Sequence, residues 1–155
     1  MVCLQETKVT DFSISMINEL MGLDFDYCFL PSDGVSRGVL IGWHRDLWRG
    51  SNSTIAVFSV TVLLTPIDGA DVVECWLTSV YGPTDHSLKE GFLMELESLA
   101  PSCPGAWLIC GDFNLIYQAQ DKNNDRLNRR LMQRFCCTID ALQLAELHLT
   151  GRIYT

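Results

Sequence analysis

An α/β sandwich is the fold class this chain predicts, and three features of the sequence carry that prediction. Apolar, β-branched runs of strand length recur from end to end, and segments of helical period are interleaved with them. The two longest runs, Ile55–Thr65 and Val72–Tyr81, are joined by Pro66-Ile-Asp-Gly69, a hairpin signal. A long hairpin is foreign to a simple doubly wound sheet, whose crossover helices keep neighbouring strands parallel. Strand order stays open at this level. With 155 residues the chain is expected to be one domain, 1–155, long enough to bury a substantial core.

Each element has its own signal. Val2-Cys-Leu-Gln-Glu6 reads as the tail of a buried strand, with Val2, Leu4 and Glu6 on one face. Asp11 or Ser13 can cap a helix through Leu20, with Ile14, Ile17 and Met21 inward and Gly22 as its stop. Phe25–Leu30 is strand-like, Pro31-Ser-Asp-Gly34 is a turn, and Gly38–His44 is the next strand. After the hairpin, Gly82-Pro83 ends the second strand. The spacing then predicts a helix over His86–Leu99 with Leu88, Phe92, Leu96 and Leu99 on one face, halted by Pro101. Trp107–Asn114 opens as a strand buried on both faces, and a polar loop follows at Gln118–Asp125. A last helix spans Leu127–Leu142 with Leu127, Leu131, Phe135, Ile139 and Leu142 inward, and Ala145–Thr155 begins one more strand.

Composition narrows the function class. Net charge is −8, which argues against non-specific nucleic-acid binding by the whole surface. It leaves room for an enzyme that holds cations between itself and a phosphodiester. The longest apolar run, Ile55–Leu64, falls short of a membrane span and contains Ser59 and Thr61. No basic-then-apolar leader opens the chain, so the expectation is an intracellular protein, with the nucleus as one location. Seven cysteines, none in Cys-x-x-Cys spacing, fit a reducing compartment and no zinc site.

The chemistry concentrates at strand ends. Alternation places Leu108, Cys110 and Asp112 on one face, and an extended backbone past Gly111 would put Asn114 there too, about 7 Å further along. A carboxylate and an amide then leave a buried strand together; the plain alternative is an Asx turn that satisfies nearby backbone. Glu6 is a second acidic strand end, and Tyr81 adds a hydroxyl at a third. For Glu6 alone the plain account is a solvated strand end, and for Tyr81 a tyrosine at the core's rim. Together, two carboxylates, an amide and a phenol suit phosphodiester hydrolysis. A hard cation such as Mg²⁺ takes oxygen ligands and keeps several waters, so few carboxylates suffice. A second carboxylate can orient or deprotonate water, and amide and phenol donors can meet phosphoryl oxygens.

Leu4-Gln-Glu-Thr-Lys8, Arg37-Gly-Val-Leu-Ile-Gly-Trp43, Ser79-Val-Tyr-Gly-Pro83 and Gly111-Asp-Phe-Asn114 follow one another in the order and spacing of known motifs. They resemble the endonuclease/exonuclease/phosphatase superfamily. The tail, Phe135 through Ile139-Asp140, Leu144, Leu147 and Gly151-Arg-Ile-Tyr-Thr155, is most similar to endonuclease domains of plant LINE-type retrotransposons. That resemblance implies a four-layer α/β/β/α sandwich and a DNA endonuclease whose nick primes reverse transcription, originally fused to a reverse transcriptase. It implies Glu6 as the Mg²⁺ ligand (Mn²⁺ as the substitute), Asp112 as the residue that activates the attacking water, and Asn114 and Tyr81 as phosphate contacts. The family's first strand with its asparagine, and its closing Ser-Asp-His motif with the aspartate before it, have no counterpart here. Met1 stands where the family has an apolar residue inside a strand. The resemblance therefore implies a partial domain, with weak Mg²⁺ binding and little or no turnover. Two further readings stand beside it: a catalytically dead remnant kept as a binding module, and another phosphodiesterase such as an abasic-site nuclease or an inositol-phosphate phosphatase.

Other signals are weaker. Gly34-Val-Ser-Arg-Gly38 matches the nucleophile-elbow pattern, but that pattern needs a helix after it and Val39-Leu-Ile reads as strand. Arg126, Arg130 and Arg134, with Arg129 beside them, would form a basic stripe opposite the apolar face of the last helix, either a solvated face or a contact to DNA phosphates. His44, His86 and His148 are scattered and receive no role.

Overall fold

The structure is a computed structural model that describes residues 1–33, 36–67, 73–117 and 128–147. These divide into two compact units, Met1–Asn114 and Leu115–Thr155.

The first unit is built on two sheets. β1 (Val2–Gln5), β2 (Phe25–Asp33) and β3 (Ser36–His44) form one, in the order β1-β3-β2 and antiparallel throughout. β4 (Trp48–Ile55), β5 (Ser59–Pro66), β6 (Cys75–Tyr81) and β7 (Trp107–Asp112) form the other in sequence order. Its first three strands are antiparallel, and β7 joins parallel to β6. A parallel neighbour requires a crossover, and α2 (Lys89–Leu99) supplies it after a short 3₁₀ turn at His86–Leu88.

The strands' alternation explains the core. Val39, Ile41 and Trp43 of β3 meet Val60, Val62 and Leu64 of β5 and Leu77 of β6, all buried. The opposite face of the first sheet is covered by α1 (Ile14–Met21), where Ile17 and Phe12 pack on Leu40 beside Leu4, Tyr27 and Phe29. The opposite face of the second sheet carries α2, whose Phe92 is fully buried and sits edge-on to Phe58 and Phe113. Helix, sheet, sheet, helix is thus the layer order, as expected.

The details depart from expectation for local reasons. β2 runs through Pro31 to Asp33, because it is an edge strand whose ladder tolerates a residue without an N–H. The expected strand Ile55–Thr65 is instead the meeting of two: Ile55 ends β4, and β5 starts at Ser59 after a turn closed by Ala56 N–H to the Ser59 carbonyl at 2.9 Å. β4 is mostly exposed and bulged near Asn52, which has φ +49°. Its polar sequence carries no alternation to betray it. α1 is capped by Ser13, which accepts from Met16 N–H at 3.2 Å, but Ile14 turns outward and is 73% exposed. Leu88 is likewise exposed, because it lies in the 3₁₀ turn and out of phase with the α2 stripe. Ser36 begins a strand, so no helix follows it and the nucleophile-elbow geometry is not formed.

The second unit contains α3 (Arg129–Ala141), capped by Asn128, which accepts from Leu131 N–H at 3.1 Å. The Phe135 ring packs edge-on to Tyr117, and the Cys136 thiol donates to the Tyr117 carbonyl. Leu127, the polar loop Gln118–Asp125 and the final strand's 148–155 lie outside the described residues. No described helix is long and apolar enough to cross a membrane.

Candidate active site

The parallel register of β6 and β7 sets the site. Ser79 pairs with Cys110, Val80 with Gly111, and Tyr81 with Asp112, so both strands end level and project Tyr81 and Asp112 side by side. Two glycines permit that close ending. A Cβ on Gly111, whose φ is +127°, would strike the Val80 carbonyl, and one on Gly82 would strike the Phe113 carbonyl. The Gly82 N–H donates to the Asp112 carbonyl at 2.7 Å, which ties the two strand ends together.

Glu6 arrives from the other sheet. Strict alternation would send it with Leu4 toward α1. The chain instead turns at Glu6 itself, which adopts φ +51°, a left-handed conformation that reverses the side chain's direction. Its carboxylate then accepts a hydrogen bond from the Tyr81 hydroxyl. Gln5 behind it donates from Nε2 to Ser79 Oγ at 3.0 Å, fastening β1 to β6. Both Glu6 and Asp112 are exposed, and the Tyr81 ring between them is half-buried.

Asn114 does not follow Asp112 along an extended strand. It has φ +50°, and its backbone N–H donates to Asp112 Oδ1 at 2.8 Å, an Asx turn. The turn does not take the amide away from the site. Asn114 Nδ2 donates to the Gly82 carbonyl at 2.8 Å, which keeps the side chain beside the end of β6. Glu6, Tyr81, Asp112 and Asn114 are therefore gathered in one place, all within the first unit.

The electrostatics follow from that gathering. The Tyr81 phenol is pushed up to about 12, first by its bond to Glu6, then by burial and by the negative charges of Glu6 and Asp112. Asn114 acts the other way by hydrogen bonding to the phenol. Tyr81 is consequently a protonated donor throughout the neutral range. On the inner face below, the Cys3 thiol is raised by its hydrogen bond with Cys110 and by burial. Cys110 is held lower, chiefly because Cys3 donates to it.

One participant escaped the sequence reading. Lys89 is buried, and its Nζ donates to the Asn114 carbonyl at 2.5 Å. The signal was present: Lys89 precedes Phe92 and Leu93 by three and four residues, so it lies on the buried stripe of α2. Among the arginines, Arg129 and Arg130 are exposed at the start of α3. Arg134 is half-buried and donates to Thr138 Oγ1 at 2.6 Å, so it is not on a face opposite the apolar one. One residue step around a helix separates Arg134 from Phe135, about 100°, too little to clear the buried side. Arg126 lies outside the described residues. His86 is exposed in the 3₁₀ turn, as a helix-start residue. Among the described residues no three His, Cys, Asp or Glu side chains cluster as a ready metal cage.

A sequence profile of the endonuclease/exonuclease/phosphatase family matches residues 1–155. The chain belongs to this family. Among solved structures it is similar to ANGEL2, a 2′,3′-cyclic phosphatase crystallised with adenosine-2′,3′-vanadate, with a TM-score of 0.58 and 16% identity. That likeness covers 74% of this chain and 39% of the ANGEL2 chain. A truncated TDP2 from Caenorhabditis elegans follows at a TM-score of 0.48 and 16% identity, over 79% of this chain and 51% of that one. No curated protein sequence matches. The ANGEL2 likeness bears on the fold alone: this chain has the two-sheet family architecture and spans about two fifths of that relative's length.

Proposed function

We propose that this chain carries part of the catalytic face of a Mg²⁺-dependent phosphodiesterase of the LINE endonuclease type, whose substrate is DNA and whose reaction is a single-strand nick. One observation carries the reading. Three segments distant in sequence deliver Glu6, Tyr81 and Asp112 to one place, with the Tyr81 hydroxyl on Glu6 and Tyr81 level with Asp112. The donor set suits the ion, because exposed carboxylate oxygens are hard ligands and two anions around one phenol favour a cation.

Glu6 would hold Mg²⁺ or, in its place, Mn²⁺; when bound, the ion would polarise the phosphoryl oxygens and offset developing charge. Asp112 would orient the attacking water or take its proton. Asn114 has two amide donors, and its side chain meets both the Gly82 carbonyl and the Tyr81 phenol, so contact with a non-bridging oxygen would require one of these bonds to yield. Tyr81 has a single proton to give and Glu6 now accepts it, so donation to a phosphate requires that Glu6 be satisfied elsewhere. The DNA specificity rests on the resemblance of the motifs and of the tail to LINE-type domains.

The test is a Mg²⁺ titration of the chain followed by the amide resonances of Glu6, Asp112 and Asn114, beside a plasmid-nicking assay. Weak, saturable shifts of those resonances are expected in wild type and absent in Glu6→Gln, with any nicking lost in the same variant. Silence of all three in wild type, or an identical response in the variant, overturns the proposal.

A further inference from the structure

We propose that Lys89 is a positioning residue for the Asp112–Asn114 loop, holding the amide of Asn114 and the carboxylate of Asp112 in register with Tyr81. The inference rests on the reading of that loop as the site, and it adds a residue outside the motifs that suggested it.

The first argument is cost. Lys89 is the first residue of α2, where the helix dipole disfavours a cation, and its side chain is only 8% exposed. Burying an ammonium is expensive unless it is bonded, and a neutral residue on this apolar stripe would carry no such cost. Asp85 and Glu90 flank it on the same turn, and neither is buried. Lys89 Nζ donates to the main-chain carbonyl of Asn114, at 2.5 Å.

The second argument is what that carbonyl belongs to. Asn114 sits in a left-handed conformation, which asparagine tolerates better than other non-glycine residues but which still needs fixing. Three bonds fix it. Its N–H is held by Asp112 Oδ1, its side-chain amide by the Gly82 carbonyl, and its carbonyl by Lys89. The first two come from within the site and use the groups proposed to do the chemistry. The third comes from α2, outside the motif that carries Asp112 and Asn114. Lys89 therefore fixes the loop through its main chain, without drawing on the Asn114 amide or the Asp112 carboxylate. Phe113 between them is clamped by Phe92, one turn further along α2, so helix and loop are joined at two points.

The experiment compares wild type with Lys89→Met, which keeps the stem and removes the donor, and Lys89→Arg, which restores a charged donor. The readout is the side-chain amide resonance of Asn114, then the Mg²⁺ affinity reported by Asp112. In Lys89→Met the Asn114 signal is expected to move toward its solvent-exposed position, with Mg²⁺ affinity weakened roughly tenfold, the scale of one charge-assisted bond. Amides of α1 and β2 should be unshifted, and Lys89→Arg should return the Asn114 signal most of the way. A folded Lys89→Met with an unmoved Asn114 signal overturns the proposal. If Lys89→Met does not fold, Lys89→Gln, which keeps a neutral donor, decides in its place by the same signal. Should wild type show no Mg²⁺ response while Lys89→Met still moves Asn114, the positioning role stands and the metal reading falls.

Discussion

Tyr81 and Asp112 are register partners at the level ends of β6 and β7, and Glu6 meets the same phenol from the opposite sheet. The phenol thus has an anion on either hand. Both charges disfavour ionisation of the phenol, whose proton is held by Glu6, while Asp112 accepts from the Asn114 N–H. A titratable group shifted by specific charged neighbours at a strand end is the kind of feature that marks functional sites.

The pH dependence of stability should expose the Tyr81 bond. The phenol is raised in the folded chain to about 12, above its ordinary value of 10.0. Above the ordinary value the unfolded chain gives up its proton first, so it binds fewer protons than the folded chain and stability falls with pH. The contribution is complete below that value and is lost as pH rises through the folded one. Tyr81→Phe should be less stable than wild type at pH 8 by about 1 kcal/mol, for a partly exposed bond to a charged acceptor, as read by chemical denaturation. The difference should narrow as pH climbs toward 12. A difference that stays constant across that range would contradict the assignment.

Gly82 should be intolerant of any side chain. A methyl group there meets the Phe113 main chain, which cannot swing aside without breaking the Gly82 N–H bond to Asp112. Gly82→Ala is expected to cost about 2 kcal/mol, in the range for overpacking. Gly91→Ala is the control, since nothing lies within 4 Å of its Cβ position and helix propensity favours alanine. Urea denaturation of both variants checks the contrast, and equal effects would refute it.

The legible parts of this fold are those written in period-two and 3.6 patterns. β3, β5 and β6 carry continuous apolar runs because both faces are covered, and they stand out in the sequence. β7 reads the same way, but it is half-buried and exposed at Gly111 and Asp112, not buried on both faces as its sequence predicts, because it ends the described sheet. β4 does not, because an exposed edge strand has no buried face to pattern. The convergence of Glu6, Tyr81, Asp112 and Asn114 was legible from the order of four short motifs. The means of convergence was not: a left-handed turn at Glu6 reverses the face that alternation assigns, and an Asx turn bends Asn114 back to Gly82. Lys89 was readable as a cation on an apolar stripe, but its partner is a main-chain carbonyl, which no side-chain pattern announces.

Glu95 should matter beyond its place on α2. Its carboxylate accepts from the N–H groups of Val57 and Phe58 at 2.9 and 3.1 Å and from Ser59 Oγ at 2.6 Å. Those groups form the turn that splits β4 from β5, a turn the apolar run Ile55–Leu64 disguises. Glu95→Gln replaces one acceptor oxygen with a donor facing donors, and a cost of about 2 kcal/mol is expected. Faster amide exchange at Val57 and Phe58, with β1 and β3 unaffected, would locate the effect. Uniform acceleration across both sheets would show that the turn is not an independent unit.

The basic end of α3 separates into two exposed arginines and one that is otherwise engaged. Arg129 and Arg130 are exposed, whereas Arg134 reaches forward one turn to Thr138, which is fully buried. If the first two contact phosphates, charge reversal of both removes two counterion-releasing contacts. The slope of log affinity against log salt should then fall by about 1.8 for duplex DNA. Arg134→Gln should leave that slope unchanged and instead lower the melting temperature, because its side chain supports the helix. Fluorescence anisotropy with a labelled duplex between 50 and 200 mM salt, on the order used for such slopes, measures both. An unaltered slope in Arg129→Glu/Arg130→Glu would assign those side chains to a solvated helix surface.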